Sequence, residues 1–282
     1  MQETLQGTSP TPPKSTFVAA RTGAPKIESV PPGGQRPKVS VVTASFNAGA
    51  ALEATIETVA AQSFYDVEHV VVDGGSTDGT VTSLEARGES LRWVSEPDQG
   101  IADAMNKAVA MARGEWIVVL QAGDTFAAAS SLAEAVRHLS EDRDVLCCGI
   151  KFGADDAPIL QHNPARRLYF KPIAHQGVLC RRAVFERVGG FDKSYHVTMD
   201  YEFFLRARND GARFAAAPLV LARMDDGGIS SQRNWTALAR RFTEERRAQT
   251  AHCPTPWMRI VYALYWPPYL AYRRLRAAFG VA

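Results

Sequence analysis

Residues 70–80 of the chain read Val-Val-Val-Asp-Gly-Gly-Ser-Thr-Asp-Gly-Thr, an apolar run that ends in an acid followed by glycines and hydroxyls. Residues 39–47, Val-Ser-Val-Val-Thr-Ala-Ser-Phe-Asn, show a similar change from apolar to small and polar side chains. Each run predicts a buried strand that leads into a helix. In open α/β sheets, ligands bind at the carboxyl ends of such strands, and residues without bulk let them approach the backbone. Both turns therefore predict one site, which suits the base and ribose of a nucleotide.

Strand-like and helix-like segments alternate from Lys38 onward. The strand candidates are 38–44, 67–73, 91–95, 115–121 and 144–151, and the helix candidates are 50–62, 79–87, 100–113 and 130–140. Such alternation indicates βαβ units, so the predicted fold class is α/β with a mostly parallel central sheet flanked by helices. The second half is less regular, with a strand candidate over 173–181 and a helix candidate over 199–209.

Three motifs in order carry a family resemblance: the run 39–47, the turn 72–78 and residues 96–108, Glu-Pro-Asp-Gln-Gly-Ile-Ala-Asp-Ala-Met-Asn-Lys-Ala. Together they resemble the family 2 glycosyltransferases, and above all the bacterial subgroup that builds surface polysaccharides and glycolipids. The resemblance covers about 38–231. It implies a GT-A fold with a nucleotide-binding half and an acceptor-binding half, an inverting mechanism, and usually a divalent metal ion, Mg²⁺ or Mn²⁺.

The nucleotide-binding half centres on Asp73, which follows the apolar run 70–72. The resemblance implies that Asp73 contacts the base or ribose of the donor, with Thr43 and Ser45 beside it. Many relatives have two successive acids here, whereas this chain has Asp73 followed by Gly74. The alternative is that Asp73 only forms the turn, which is a common use of aspartate.

Asp98 stands at the head of the 100–113 helix, where free backbone N–H groups favour an anion. It is either a helix cap or a contact of the nucleotide sugar. The resemblance also assigns to this pocket Asp103, Asn106, Lys107 and His175. Arg223 precedes the glycine-rich stretch 227–231, and such a loop is expected to close over the diphosphate, with which a guanidinium pairs well. Lys107 and Arg223 can instead be solvated surface charges, and His175, the first residue of a His-Gln pair, can be structural.

The metal motif follows a predicted buried strand and reads Gln121-Ala122-Gly123-Asp124. Relatives place an Asp-x-Asp or Asn-x-Asp-Asp cluster there. Hard cations such as Mg²⁺ and Mn²⁺ prefer oxygen ligands and share their shell with substrate phosphates and waters. The implied ligands are therefore Asp124, as the only acid left, and the amide oxygen of Gln121. The alternative for Asp124 is a helix cap.

The catalytic base is predicted at Asp200, at the start of the 199–209 helix. Relatives carry an acid there, which takes the proton of the acceptor hydroxyl as this attacks the anomeric carbon. Glu202 lies two residues further on and projects from a different side of the helix, so it is the weaker candidate. Helix capping is the alternative role for Asp200.

The two ends of the chain differ in composition from its middle. Residues 1–37 are rich in Pro, Thr, Ser and Gly without apolar periodicity, so they predict a disordered leader with no secretory signal.

The chain has four cysteines, Cys147, Cys148, Cys180 and Cys253, with neither metal-ligand spacing nor a dense disulfide pattern. They predict reduced, mostly buried thiols and favour a cytoplasmic setting.

Residues 232–282 form a basic, aromatic tail in which nine arginines stand against Glu244 and Glu245, although the net charge of the whole chain is only +2. Residues 260–272 carry no charge, but Pro267-Pro268 is expected to interrupt them, so this segment is too short to span a membrane. Aromatic residues flanked by arginine suit the lipid headgroup region. The alternative is a helix that packs on the catalytic domain. The predicted divisions are thus 1–37, 38–231 and 232–282.

These observations predict a nucleoside-diphosphate-sugar-dependent glycosyltransferase, cytoplasmic and peripheral on the inner face of the cell membrane, acting on a lipid-linked saccharide or glycolipid. A nucleotide-sugar-binding regulatory protein that has lost catalysis is the alternative, and only the depleted metal motif favours it. An NAD-dependent oxidoreductase would need a Gly-x-Gly-x-x-Gly turn after the first strand, and no such turn follows the run 39–47, so this class is a weaker alternative. No nucleic-acid partner is expected, because the basic residues of the tail are interleaved with aromatic ones.

Overall fold

The computed structural model describes residues 36–88, 91–228, 231–232 and 234–278. The predicted leader therefore lies outside the described residues, apart from its last two. In chain order, the elements are β1 Val39–Ser45, α1 Gly49–Ala60, β2 Val67–Asp73, α2 Thr80–Ala86, β3 Arg92–Ser95, α3 Ile101–Met111, β4 Trp116–Val119, β5 Thr125–Phe126, α4 Ser131–Val136, β6 Val145–Phe152, β7 Asp155–Ile159, α5 Pro164–Arg167, a 3₁₀ turn His175–Gly177, β8 Val178–Arg181, α6 Arg182–Val188, α7 Met199–Asn209, β9 Phe214–Met224, α8 Trp235–Ala251 and α9 Pro256–Ala278. Every strand and helix predicted for residues 38–151 is present, with shifted ends.

The strands form one sheet in the order β3-β2-β1-β4-β8-β6-β9-β5, with β7 paired to β6. The first four strands in this order are parallel, as predicted. The second half corrects the expectation of a mostly parallel sheet, because β8 runs antiparallel to both β4 and β6, and β5 runs antiparallel to β9. Only β6 and β9 are parallel there. The sheet as a whole is therefore mixed.

The decisive apolar run of β2 is buried on both faces of the sheet. Val70 and Val72 belong to the cluster that contains Met105 of α3, whereas Val71 packs in a separate cluster with Leu52 of α1 and Leu84 of α2. Successive strand side chains point to opposite faces, so one uninterrupted valine run fills both layers. The cysteine prediction is confirmed, because all four thiols are free and three of them are buried.

The two C-terminal helices pack onto α7 and the segment around Leu168 in the second half of the fold. A chain of buried hydrogen bonds runs from α9 through α8 to α7. The Trp266 indole N–H donates to Gln249 Oε1 (2.8 Å), Gln249 Nε2 donates to the Tyr201 hydroxyl (3.0 Å), and that hydroxyl donates to the Leu168 carbonyl (2.7 Å). Buried polar groups need such partners, so these bonds fix the position of α9 relative to α7.

The helix α9 continues through Pro267 and Pro268, which corrects the predicted interruption. Proline removes a backbone donor and clashes with the carbonyl four residues earlier. Both prolines and the residues four positions before them, Ala263 and Leu264, are exposed, so water can satisfy the carbonyls that lose their partners. Within the part of the chain that the structure describes, no helix is long and apolar enough to cross a membrane.

Candidate active site

A cleft of about 1130 Å³ opens at the carboxyl ends of β1 and β4. Ser45 and Phe46 line it from the end of β1, Gln121 and Asp124 line it from the segment after β4, and Asp200 lines it from the start of α7. The strand β1 pairs with β2 on one side and with β4 on the other, so the strand order reverses here. Such a reversal leaves a crevice between the connections, and this is where α/β sheets bind ligands.

The cleft brings together half of the residues that the sequence predicts for the site. They are Ser45, Asp98, Gln121, Asp124, His175 and Asp200. The others do not line the cleft and have partners within the fold. These partners are His69 for Thr43 (2.9 Å), Lys193 for Asp103 (3.3 Å), the Phe191 backbone for Asn106 (2.7 and 2.8 Å), Glu96 for Lys107 (2.8 Å) and Asp156 for Arg223 (2.5 Å). The contacts of these residues with a donor remain predictions.

Asp73 is completely buried and closes the turn that follows β2. Its carboxylate accepts hydrogen bonds from the backbone N–H groups of Gly75 (3.1 Å) and Ser76 (2.8 Å), from the Ser76 hydroxyl and from the Ser95 hydroxyl (2.7 Å). This is the turn-forming role that the sequence left open. Asp73 thus shapes the floor beside the cleft through the backbone of residues 74–76.

Gly74 makes room for Asp98. A Cβ atom at residue 74 would overlap the Asp98 carboxylate and lie 3.3 Å from the Phe46 ring. Asp98 Oδ1 accepts a hydrogen bond from the Gly100 backbone N–H (2.7 Å) at the start of α3, and Asp98 also lines the cleft. A carboxylate from another segment therefore occupies the space that a side chain at residue 74 would need.

The His-Gln pair of the 3₁₀ turn bridges the two central acids of the cleft. His175 Nδ1 lies 2.8 Å from Asp200 Oδ2, and Gln176 lines the cleft beside Asp124, where its side chain acts to lower the pKa of that carboxyl. Burial disfavours the charged form of His175, but the hydrogen bond and charge of Asp200 and the charge of Asp124 outweigh it and raise the pKa of His175. His175 Nε2 is buried without a hydrogen-bond partner among the described residues.

Asp124 is buried to 3% exposure at the edge of the cleft. Its carboxylate accepts hydrogen bonds from the backbone N–H groups of Gln121 (3.0 Å) and Asp225 (2.9 Å). Burial nevertheless raises the pKa of Asp124, although the charge of His175 and these bonds oppose the rise. The neighbouring Gln121 Oε1 is buried without a partner in the described part of the chain. Two buried oxygen groups thus lie together where a cation would lower their free energy.

Glu202 is engaged within the protein and does not line the cleft. It accepts hydrogen bonds from Arg206 Nε (2.7 Å) and Arg206 Nη2 (2.9 Å), and His252 Nε2 lies 2.8 Å away. Burial opposes ionisation of this carboxyl, but His252 and Arg206 outweigh it and lower the pKa of Glu202. The structure therefore separates the two acids of α7, leaving Asp200 as the one within the cleft.

Two residues that hold the backbone next to the site were not predicted from the sequence. Gln161 donates from Nε2 to the carbonyls of Cys148 (2.7 Å) and Ala174 (3.1 Å) and accepts from the Ala174 N–H (2.7 Å), which holds the chain just before His175. Glu244 of α8 accepts hydrogen bonds from the backbone N–H groups of residues 196–198, which holds the chain just before α7. No local pattern marks either residue. Phe46 was also missed, although an aromatic residue at a strand end, here 63% exposed, is a recognisable signal for a ligand-facing side chain.

The α/β fold, with its cleft at the carboxyl ends of parallel strands and an acid at the start of the facing helix, is that of a GT-A glycosyltransferase. Residues 40–191 match the family described as Glycosyl transferase family 2. The chain belongs to this family, and it is a glycosyltransferase. The resemblance that the motifs carried is thereby confirmed.

A curated relative agrees with this assignment, and two solved structures agree with the fold. A Mycobacterium bovis (strain BCG / Pasteur 1173P2) protein named "PGL/p-HBAD biosynthesis glycosyltransferase" is 33% identical over 208 residues, which cover 69% of this chain and 80% of the relative. The mannosyltransferase PcManGT from Pyrobaculum calidifontis, solved with GDP-Man and Mn²⁺, has a TM-score of 0.59 at 20% identity and covers 92% of this chain and 90% of its own. TarS 1–349 of S. aureus, solved with UDP, has a TM-score of 0.59 at 19% identity, and the match covers 76% of this chain but only 65% of TarS 1–349.

Proposed function

We propose that this glycosyltransferase moves a sugar, with inversion, from a nucleoside diphosphate sugar to a lipid-linked saccharide or glycolipid. The observation that carries the proposal is the His175-Gln176 pair. His175 contacts Asp200, and Gln176 lies beside Asp124, so both acids border the same part of the cleft. A base and a group that handles the leaving diphosphate must both lie near the anomeric carbon. The similar proteins support the substrate classes. The Mycobacterium bovis relative is named as a glycosyltransferase of PGL/p-HBAD biosynthesis, TarS 1–349 was solved with UDP, and PcManGT was solved with GDP-Man.

In the proposed reaction, Asp200 takes the proton of the acceptor hydroxyl. The acceptor oxygen forms a bond to the anomeric carbon while the bond from that carbon to the diphosphate oxygen breaks, and the nucleoside diphosphate leaves. One displacement from the opposite face inverts the configuration. Asp200 Oδ1 accepts from the Tyr201 N–H (2.8 Å) and Oδ2 is held by His175, so its carboxylate is fixed before the substrate arrives.

A divalent cation, Mg²⁺ or Mn²⁺, fits the residues present. Asp124 and the unpartnered Gln121 Oε1 would hold it, with Asp225 at the same edge of the cleft. Within the described ranges, no three His, Cys, Asp or Glu side chains form a metal site by themselves, so donor phosphates and waters must supply the remaining ligands. A bound cation would neutralise the charge that develops on the leaving diphosphate.

Binding of donor and metal is the first prediction. With Mn²⁺ present, a UDP-, GDP- or dTDP-sugar at about 100 times its Kd should stabilise the protein by about 2.7 kcal/mol, which raises Tm by several degrees. Differential scanning fluorimetry measures this shift. Asp124→Asn should lose the Mn²⁺-dependent part, because the buried carboxylate is the charged ligand. Asp142→Asn, in which the side chain replaced is 74% exposed, is the matched control and should shift like wild type. No shift with any sugar nucleotide would contradict the proposed function.

A regulatory protein that binds nucleotide sugars without catalysis remains the second candidate. It is favoured by the reduced set of acids around Asp124, but the intact Asp200–His175 pair argues against it. Slow metal-dependent hydrolysis of the donor that binds would separate the two, since only an active site can activate water in place of the acceptor.

The exposed side of α9 supports the membrane-peripheral part of the proposal. Five large apolar residues on this helix are 53–72% exposed, namely Trp257 64%, Ile260 58%, Leu264 72%, Tyr272 53% and Leu275 60%. Tyr262 and Trp266, on the other side of the helix, are buried against α8. The helix has no acidic residue and carries four arginines. An apolar face with basic neighbours fits an anionic bilayer surface, here the cytoplasmic leaflet.

Vesicle binding tests this surface. The protein should co-sediment with vesicles that contain phosphatidylglycerol and much less with pure phosphatidylcholine. Leu264→Glu combined with Leu275→Glu should weaken the binding by at least about tenfold, because each leucine contributes about 1.5–3 kcal/mol when it leaves water. Tyr65→Glu is the control, since Tyr65 is 90% exposed and lies outside α9. Equal sedimentation of both variants would contradict the membrane role of α9. If wild type formed a dimer that the two leucine substitutions dissociated, the exposed face would instead contact a second copy of the chain.

We propose that the tail 232–282 acts as part of the acceptor-binding half rather than as a separate domain. Arg241 of α8 and Arg273 and Arg276 of α9 line the same cleft as Asp200. The helix that would lie on the membrane therefore also borders the reaction site. A lipid-linked acceptor could then stay in the membrane while its reacting group enters the cleft.

A further inference from the structure

Among the described residues, four arginines line the cleft, and none of these four belongs to the predicted site. They are Arg167 at the end of α5, Arg241 on α8, and Arg273 and Arg276 on α9. The α5 and α9 segments are tied together, because the Tyr262 hydroxyl donates to the Tyr169 carbonyl (2.8 Å). The four arginines thus come from three separate helices that border the same cleft.

Arg167 carries the most specific signal. Its Nε is buried and has no hydrogen-bond partner among the described residues. A buried donor without an acceptor costs about 1–3 kcal/mol, and more when the group is charged. A guanidinium used only for the fold would normally find a carbonyl or carboxylate. Arg167 therefore has binding capacity that a ligand in the cleft can fill.

The other three arginines are held by their own helices. Arg241 Nε donates to Glu245 Oε1 (2.8 Å), the guanidinium of Arg273 stacks 5.1 Å from the centre of the Phe242 ring, and Arg276 lies 5.9 Å from the centre of the Tyr272 ring. Arg273 Nη1 also donates to the Tyr269 hydroxyl (3.1 Å), and Arg276 Nη1 donates to the Tyr272 hydroxyl (3.3 Å). A guanidinium carries five N–H donors, so such a bond does not use up its capacity to pair with an anion. These side chains are therefore oriented before a ligand arrives.

The local charge balance is positive and lies on the Asp200 side. Glu245 is the buried acid of this cluster; burial raises its pKa, Arg241 and Arg273 oppose the rise, and the charge of Asp200 adds to it. Asp200, Arg241 and Arg273 therefore all lie close enough to Glu245 to influence its ionisation, which places these two arginines on the Asp200 side of the cleft. The nucleotide turn, with Ser45 and Asp98, belongs to the segments at the ends of β1 and β3. An anion bound by the arginines would thus lie on the acceptor side.

We propose that Arg167, Arg241, Arg273 and Arg276 form a phosphate-binding subsite for a phosphate-bearing acceptor. Guanidinium groups bind phosphate oxygens with paired N–H donors, which makes arginine the usual residue for this ligand. The subsite shares α9 with the exposed apolar face, so a phosphate joined to a lipid chain matches both surfaces. The inference rests on the proposed function. The donor diphosphate offers the same chemistry and is the other source that the test separates.

The test uses the full chain and two double variants that each remove two positive charges. Arg167→Gln with Arg276→Gln alters the subsite, while Arg137→Gln with Arg246→Gln removes two exposed arginines that lie outside α9 and do not line the cleft. Calorimetric titration measures binding of decyl phosphate below its micelle concentration, and decyl glucoside is the uncharged comparison. Binding of UDP or GDP is measured in the same way. Thermal unfolding checks that both variants remain folded.

The subsite variant should bind decyl phosphate at least about tenfold more weakly than wild type, whereas the control double variant changes little. The affinity of wild type should also fall with added salt, because the arginines are partly exposed. Unchanged decyl phosphate binding, or an equal loss in both variants, would overturn the subsite. Loss of UDP or GDP binding with retained decyl phosphate binding would overturn its acceptor assignment and give it to the donor. Absence of any nucleotide binding by wild type is a separate failure, that of the proposed function.

Discussion

Asp200→Asn should slow release of nucleoside diphosphate from the donor by about 10²–10⁴-fold without weakening donor binding. The amide cannot accept the acceptor proton, so the hydroxyl must attack while still protonated. The substitution keeps the shape of the side chain: its amide oxygen can accept from the Tyr201 N–H, and its amide nitrogen can donate to Nδ1 of a neutral His175. The effect should therefore fall on kcat, while the Kd for the nucleotide sugar stays near its wild-type value.

A matched change at Asp210 tests whether this loss is specific to the site. Asp210 follows α7 at its other end, is exposed and pairs with Arg187, so Asp210→Asn removes a similar charge outside the cleft. Its turnover should be close to wild type. The assignment of Asp200 would be wrong if Asp200→Asn turned over within about threefold of wild type, or if its loss of activity simply followed a loss of Tm.

The parts of the fold that were predictable are those encoded by local patterns. The valine run 70–72 and the apolar spacing of α3 specify buried elements whatever they pack against, because a strand or helix with that pattern has no other low-energy environment. The strands β7 and β9 were not predictable in this way. Residues 155–159 of β7 are exposed and contain Pro158, and β9 contains Pro218 among alanines. Their pairing with β6 is decided by tertiary contacts.

The candidate site shows a similar division. The resemblance supplied Asp124, His175 and Asp200, and the structure places all three in one cleft. It could not supply Glu244, whose partners lie 46–48 residues earlier in the chain, because nothing in a helix sequence announces a distant backbone partner. The same applies to the arginine of α5 in the cleft. Interactions between segments are invisible to periodicity, and here they position the reacting groups.

The proline pair of α9 illustrates a different failure. A local rule predicts a break at Pro267 because of the lost donor and the clash in the preceding turn. The rule assumes that nothing compensates. Here Tyr262 and Trp266 before the pair and Tyr269 and Leu270 after it pack in one cluster with Phe242, so both sides of the pair are held in one helix. The carbonyls concerned lie on exposed residues. Tertiary packing therefore overrides the local preference.

Glu244→Ala should destabilise the protein by several kcal/mol and slow turnover as well. The Glu244 carboxylate accepts the backbone N–H groups of His196 (3.0 Å), Val197 (2.8 Å) and Thr198 (3.0 Å), which immediately precede α7. Without it, these donors lose their acceptor, at about 1–3 kcal/mol for each one that stays buried. At roughly 2–4 °C per kcal/mol, Tm should fall by about 10 °C.

The rate should fall by about 10–100-fold at temperatures where Glu244→Ala is still folded, because Asp200 begins the helix that the carboxylate holds and a shift of about 1 Å costs that much. Glu244→Gln keeps one oxygen acceptor and should recover part of both losses. Arg240→Ala, at an exposed residue of the same helix, should change neither. If Glu244→Ala matched Arg240→Ala in Tm and turnover, α8 would be a dispensable appendage of a catalytic unit ending near residue 231. The expected loss would mean instead that the catalytic unit includes the helix on which Glu244 lies.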